Sequence, residues 1–123
     1  MTIQELYHNI DGDYEYMKST FKMDQLIEMF ILKFLNDRSY PLLHQAWTTK
    51  DEKGIFEISH SLKGVSANLG LEKISGYASE VCEEYRPGNE KKMSEDELQR
   101  TMGSLDALYA RTIDEINRYQ QQK

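Results

Sequence analysis

The sequence predicts an all-α protein, an antiparallel four-helix bundle with a short N-terminal helical lead-in. Apolar residues recur at helical spacing along most of the chain, and no segment alternates in the manner of a β-strand. Glycine and proline are few, seven and two in 123 residues, and most of them stand where a periodic segment ends. Four amphipathic segments with short connections favour a bundle of antiparallel neighbours. We expect residues 1–22 to form the lead-in and residues 23–123 the bundle, within one domain.

The first half of the chain predicts three helical segments. Residues 2–21 are amphipathic and are broken near residues 9–13. A helix from Met23 to Asp37 follows from apolar residues at the i, i+3, i+4, i+7 positions. These residues are Leu26, Ile27, Phe30, Ile31, Phe34 and Leu35. Pro41 is expected to interrupt or restart the helix, and a stripe that includes Leu42 and Trp47 continues to about Thr49.

The second half predicts three further helices. One runs from about Lys53 to Leu69, with Gly70 as its C-terminal stop. The next begins near Leu71 and ends before Pro87-Gly88. Ser94 and Glu97 have the spacing of a capping box, which predicts the start of a long final helix.

Composition narrows the classes of function. No apolar run approaches the roughly 20 residues of a membrane span, and the N-terminus lacks the pattern of a signal peptide. The net charge of −6 argues against nucleic-acid binding, which needs a basic surface. Cys82 is the only cysteine, so an intrachain disulfide is impossible and a reducing compartment is favoured. We therefore expect a cytoplasmic protein that interacts with other proteins and not with membranes. A monomer is the expected oligomeric state, although composition does not determine it.

His60 is the candidate functional residue. It lies about 180° around its helix from the apolar stripe, which makes a buried core histidine the minor alternative. His8 and His44 lack the spacing of a zinc site with each other or with Cys82, so no metal is expected. The remaining alternative from the residues alone is a surface histidine without function.

The neighbours of His60 are unusual for a solvated helix face. Gly64 costs about 0.8–1.0 kcal/mol relative to alanine in mid-helix, but it leaves open space one turn from the ring. Lys63 supplies a flexible positive charge suited to phosphate oxygens. Phe56 and Ala67 share the face of His60, and Phe56 offers an exposed apolar contact for a docking partner. These neighbours favour phosphoryl transfer.

The segment from His60 to Gly70 resembles the signature of the histidine-containing phosphotransfer (HPt) family. That signature is His-x-Leu-Lys-Gly, followed by small residues and Asn-Leu-Gly. The matching residues here are His60, Leu62, Lys63, Gly64, Asn68, Leu69 and Gly70. The resemblance extends upstream through residues 13–37, whereas the final helix matches only in length and amphipathicity. It implies an antiparallel four-helix bundle.

The resemblance also implies a function. His60 would carry a phosphoryl group between aspartates of response-regulator receiver domains, some of them in a hybrid histidine kinase. Lys63 would offset the phosphoryl charge, Gly64 would give steric access, and Phe56, Ser61 and Ala67 would contact the docked partner. The chain shows no phosphate-binding glycine-rich motif, so we expect a carrier without an ATP site and not an enzyme. No cofactor of its own is expected, and Mg²⁺ would belong to the receiver.

One position departs from the family pattern. Many members have Glu or Gln 22 residues after the histidine, beside the ring, whereas this chain has Cys82, a poorer hydrogen-bond partner. We expect Cys82 to be semi-buried and to alter the rate of transfer. The adjacent acidic pairs, including Glu83-Glu84, are interpreted as solvated helix faces or caps.

Two alternatives remain open. The first is an adaptor that binds a receiver or kinase without carrying phosphate, which the Cys82 departure motivates. The second is the phosphoacceptor domain of a chemotaxis-type kinase. The Met1 start and the polar C-terminal tail favour a complete small protein over the second alternative.

Overall fold

The structure is a computed structural model that describes residues 1–122. All regular secondary structure in that range is helical, which confirms the all-α class. The helices are α1 (Ile3–Asn9), α2 (Tyr14–Phe21), α3 (Asp24–Lys33), α4 (Ser39–Thr48), α5 (Glu52–Asn68), α6 (Glu72–Tyr85) and α7 (Glu95–Gln121). A 3₁₀ turn at Phe34–Asn36 follows α3.

The predicted count of four long helices is not confirmed. The lead-in contains two helices, as the expected break near residues 9–13 indicates, and the segment after Met23 is divided into α3 and α4. The helix restarts around Pro41, one of the two predicted outcomes, and Pro41 stands in the first turn of α4, where its missing amide needs no partner. Leu26 and Leu42 are exposed, so the apolar pattern of this region is wider than its buried face.

The predicted C-terminal end of α5 and the predicted start of α7 are confirmed. Gly70 follows α5 with a φ of +72°, a left-handed conformation that favours glycine. Ser94 and Glu97 form both hydrogen bonds of the capping box at the start of α7. The start of α5 is capped by Asp51, whose side chain accepts a 3.0 Å hydrogen bond from the Gly54 amide.

Helix α5 lies at the centre of the packing. It packs most extensively against α6 and then against α4, while α6 also packs against α7. The connections on both sides of α5 are short, and short connections join antiparallel neighbours. The core draws residues from every helix, and among its fully buried members are Leu6, Met17, Ile27, Leu43, Leu62, Ile74 and Leu105.

The lead-in is fastened to the turn between α5 and α6. The buried Tyr7 hydroxyl donates a 2.8 Å hydrogen bond to the Leu69 carbonyl. The Asp13 amide donates another of 2.8 Å to the Gly70 carbonyl. A Cβ at Gly70 would lie 3.0 Å from the Asp13 carbonyl oxygen, so this close approach also needs glycine. The lead-in therefore fixes the C-terminal end of the helix that carries His60.

Candidate functional site

His60 lies on the outer face of α5 and is exposed, as its position opposite the apolar stripe predicts. The inner face of the helix is formed by Ile55, Ser59, Leu62 and Ser66, all of them buried. The hydroxyl groups of both buried serines have hydrogen-bond partners. Ser66 donates a 2.6 Å hydrogen bond to the Leu62 carbonyl, and Ser59 donates one of 3.1 Å to the Phe56 carbonyl. The buried face of α5 is thus satisfied internally, and the imidazole faces outward.

Cys82 of α6 is the side chain within hydrogen-bond range of the imidazole. Its Sγ lies 4.0 Å from His60 Nδ1, within the range of a weak sulfur hydrogen bond. The side chain is fully buried, so the prediction of a semi-buried residue is wrong. The register between the helices is supported by Ser75, whose hydroxyl donates a 3.1 Å hydrogen bond to the Lys63 carbonyl. The predicted proximity of position 82 to the ring is therefore present, with a thiol as the contacting group.

The residues after His60 leave its outer side open. A Cβ built on Gly64 meets no atom of the described chain within 4 Å beyond the local helix backbone. Ser61 and Ala67 are exposed, while Lys63 is half-buried. The Ser61 hydroxyl donates to the Glu57 carbonyl at 3.3 Å, so it is engaged with its own helix. The space above the turn at Gly64 is accessible to a large group.

Phe56 is half-buried and not an open apolar contact, which corrects the prediction for this residue. Its ring centroid is 6.3 Å from that of His60. The guanidinium of Arg86 lies over the Phe56 ring, 5.1 Å from its centroid, in a cation–π contact. The Phe56 ring therefore lies beside the His60 ring and also contacts the guanidinium of Arg86.

Arg86 is the site residue that the sequence reasoning missed. Its Nη2 lies 4.0 Å from Cys82 Sγ, and its guanidinium forms hydrogen bonds of 3.0 and 3.1 Å with the Glu83 carboxylate. This hydrogen bonding, together with the charge of Lys63, holds the pKa of Glu83 below its usual value. The available signal was spacing, because Arg86 is four residues after Cys82 and directly follows the last residue of α6. The negative charge of Glu83 thus offsets the positive charges of Arg86 and Lys63, which lie near the histidine.

A groove of about 500 Å³ adjoins the site between α5 and α6. Lys63 and Ala67 line it from α5, and Gly76 and Ser79 line it from α6. Tyr16, an exposed residue of the lead-in, contributes to its other side. The lead-in, which was expected only to precede the bundle, therefore reaches the surface beside Lys63.

Glu84 departs from the prediction of a solvated acidic pair. It is only 5% exposed, whereas Glu83 beside it is exposed. Glu84 Oε1 accepts hydrogen bonds from the amides of Lys92 and Met93, at 3.0 and 3.2 Å. The carboxyl group is buried because the connection between α6 and α7 folds back over it, a long-range contact that helical periodicity does not report.

Four further aromatic side chains contribute to the packing of the core. Trp47, Tyr77, Tyr85 and Tyr109 are partly buried and pack against the core. Residues 1–122 contain no group of three or more His, Cys, Asp or Glu side chains arranged to hold a metal ion. None of the helices described combines the length and the apolar character needed to cross a bilayer.

Comparison with known proteins gives one match. Residues 25–119 match the family model described as the Hpt domain. No curated protein and no solved structure gave a match. Hpt domains act as phosphoryl carriers in two-component signalling and interact with response regulators or kinases. Because the match covers most of the sequence and includes the segment around His60, the chain belongs to the Hpt domain family.

Proposed function

We propose that the chain is a phosphorelay carrier that accepts a phosphoryl group on His60 from one receiver aspartate and delivers it to another. The observation that carries this proposal is an exposed imidazole with a lysine and an open glycine within the next turn, inside a family match. A carrier must meet two partners in succession, so its acceptor has to be accessible. The exposed outer face of α5 meets that requirement.

The orientation of the ring supports Nε2 as the nucleophile. Nδ1 faces Cys82, whereas Nε2 is the ring nitrogen on the opposite side. In the tautomer with the proton on Nδ1, the Nε2 lone pair attacks the phosphorus of an aspartyl phosphate. The new N–P bond forms as the O–P bond breaks, and the aspartate leaves as a carboxylate. The reverse sequence delivers the phosphoryl group to the second aspartate.

The neighbouring residues support the transfer in two ways. Lys63 provides a charge-assisted contact for phosphoryl oxygens, since an ammonium group acts as a mobile point charge. The open space at Gly64 lets the receiver close over the ring. Mg²⁺ would be bound by the receiver, and the chain needs no cofactor and no ATP site of its own in this mechanism.

The docking surface is the outer face of α5 together with the adjoining edge of α6. Phe56, Ser61 and Ala67 contribute to it from α5, and Arg86 contributes from the position that caps the end of α6. We further propose that residues 23–123 form an antiparallel four-helix bundle, in which α3 and α4 together take the place of one helix and α5, α6 and α7 are the other three. Residues 1–22 are the lead-in. The packing of α5 against α4 and α6 supports this arrangement. We also propose that the protein is a monomer and that it is located in the cytoplasm.

The function is tested by labelling. The chain is incubated with a phosphorylated receiver domain, and we expect label on the protein that is acid-labile and stable to base. His60→Gln should abolish this label, and His44→Gln serves as the matched control because His44 is also exposed. Labelled His60→Gln protein would refute the assignment.

A second candidate function is an adaptor that binds a receiver without carrying phosphate. The observation that favours it is Cys82, because a thiol at 4.0 Å holds the ring less firmly than an amide or a carboxylate would. Equal receiver binding by wild type and His60→Ala, with no transfer by either, would support the adaptor over the carrier.

A further inference from the structure

We propose that an acidic cleft beside the phosphotransfer site binds a lysine or arginine side chain of the protein that docks on His60. This inference rests on the proposed function for the identity of the partner. The cleft lies between α6, the connection that follows it, and the start of α7, and its volume is about 680 Å³. Its carboxylates are those of Glu80, Glu83, Glu84, Glu90 and Glu97, and Lys92 is its one basic lining residue.

The strongest indication of a ligand is Glu84. It is the most buried of the residues that line the cleft, and we refer to it as the floor of the cleft. Its Oε1 is held by two backbone amides, but its Oε2 is buried and has no hydrogen-bond partner among residues 1–122. A buried carboxylate oxygen without a donor is costly, and native structures seldom leave one unexplained. Because this oxygen is shielded from solvent, a donor from a partner would reach it only as the covering groups move aside, and it would then supply the missing hydrogen bond.

Two of the four carboxylates at the rim of the cleft already have hydrogen-bond partners, and the other two are available to a ligand. Glu97 accepts from the Ser94 amide in the capping box, and Glu83 is held by Arg86. Glu80 and Glu90 are exposed, and their side chains have neither a hydrogen bond nor an ion pair within the described part of the chain. The cleft therefore combines one buried acceptor with two available negative charges above it.

A side-chain cation fits this arrangement better than a metal ion. Ca²⁺ takes six to eight oxygen ligands and Mg²⁺ needs near-octahedral geometry, whereas residues 1–122 show no cluster of three convergent ligands. A guanidinium has several donors in a fixed plane and can contact the floor and the rim together. An ammonium on a flexible stem can also reach a buried oxygen.

The position of the cleft identifies the partner as the protein that docks on His60. Glu83 lines the cleft and also binds Arg86, whose guanidinium contacts Cys82 and Phe56. The cleft and the phosphotransfer site thus share the surface of α6 around Glu83. A receiver seated over His60 would extend across this surface.

The cleft is tested by nuclear magnetic resonance with the peptide Gly-Gly-Arg-Gly-Gly. Its citrulline equivalent, neutral but nearly the same in shape, is the control ligand. The amides of Lys92 and Met93 report binding, because they donate to the Glu84 carboxylate. Glu84→Gln should weaken binding of the arginine peptide about tenfold, the effect of losing one charge-assisted hydrogen bond. Glu15→Gln, which removes an exposed carboxylate on α2, should leave binding unchanged.

The outcomes separate the proposal from a purely structural role of Glu84. Equal shifts with the citrulline peptide, or equal affinity of wild type and Glu84→Gln, would overturn it. If Glu84→Gln does not fold, the double variant Glu80→Gln/Glu90→Gln removes the rim charges and should weaken binding severalfold. Unchanged binding by that double variant would also overturn the proposal.

A second measurement connects the cleft with the partner. The affinity of a receiver that exchanges phosphoryl groups with the chain should fall about tenfold with Glu84→Gln. The affinity should stay constant with Glu15→Gln, and equal affinities for Glu84→Gln and wild type would contradict a role in docking. Failure of His60 labelling would refute the carrier function, while the peptide experiment would still decide whether the cleft binds a basic side chain.

Discussion

Replacing Gly64 by a larger residue should stabilise the fold and slow phosphoryl transfer at the same time. A Cβ at this position meets no atom of the described chain within 4 Å apart from its own local helix backbone, so alanine causes no clash. The expected gain is the helix-propensity difference, about 0.8–1.0 kcal/mol. For a chain of 123 residues this gain corresponds to a rise in Tm of about 3–5 °C. Stability alone would thus favour alanine here.

The transfer rate should move in the opposite direction. Residues four apart on a helix have Cβ atoms about 5–6 Å from each other, so a long side chain at position 64 reaches over the His60 ring. Gly64→Ala should slow transfer modestly. Gly64→Gln should slow it by about 10- to 100-fold, the range expected when reacting groups are displaced by about 1 Å.

Thermal unfolding and the rate of transfer from a phosphorylated receiver measure the two effects separately. Gly103→Ala is the matched control, because Gly103 lies within α7 and is equally open to a Cβ. It should give a similar rise in Tm with an unchanged transfer rate. Wild-type transfer by Gly64→Gln, or an equal loss of rate in Gly103→Ala, would refute the reasoning that Gly64 serves access to the ring.

Three further predictions concern the ring, the lead-in and the response to pH. Cys82→Gln should hold Nδ1 more firmly and raise the transfer rate severalfold, at a cost of about 1–3 kcal/mol for overpacking a buried site. Cys82→Ala should not raise it, and a higher rate in both variants would contradict the prediction. Tyr7→Phe removes the buried hydrogen bond to Leu69 and should lower the free energy of unfolding by about 1–3 kcal/mol in urea titrations, with normal transfer. Burial raises the pKa of Tyr7, which keeps its hydroxyl a donor at ordinary pH, so an unchanged unfolding midpoint would count against this role. The hydrogen bond from Lys73, together with the charges of Lys73 and Arg111, lowers the pKa of Asp11, so its contribution is present above the unfolded value near 3.9 and is lost as pH falls through the folded value. Wild type should therefore lose more stability than Asp11→Asn between about pH 5 and pH 2, by no more than about 1 kcal/mol because solvent screens this surface site. Parallel pH curves for the two proteins would contradict this expectation.

Helix α5 could be predicted almost completely, because its information is local. The apolar stripe fixes its buried face, and that face fixes the outward direction of His60. Gly70 marks the end through a left-handed conformation that other residues rarely adopt. Pro41 indicated the division between α3 and α4 but not the residue at which α4 begins, and a polar signal marks that start. The Asp37 side chain accepts a 2.9 Å hydrogen bond from the Ser39 amide at the start of α4.

Interactions between elements distant in sequence account for what the sequence did not predict. Arg86 covers Phe56 because the end of α6 lies beside the start of α5, and helical periodicity cannot show this contact. The side chain of Glu84 is buried for the same reason, since the connection before α7 supplies the two amides that bind it. A pair of adjacent glutamates gives no local sign that one is exposed and the other is not.

The positions proposed to be functional can therefore be recognised in two ways. Gly64 breaks a local rule, because glycine in mid-helix costs stability, and the sequence alone exposes that cost. Glu84 breaks a rule that only the folded chain reveals, because a buried carboxylate oxygen without a donor costs stability as well. In both cases the chain retains an unfavourable feature at a surface where a partner would make it favourable. A partner that covers His60 would fill the space above Gly64, and a basic side chain from the same partner would complete the hydrogen bonding of Glu84.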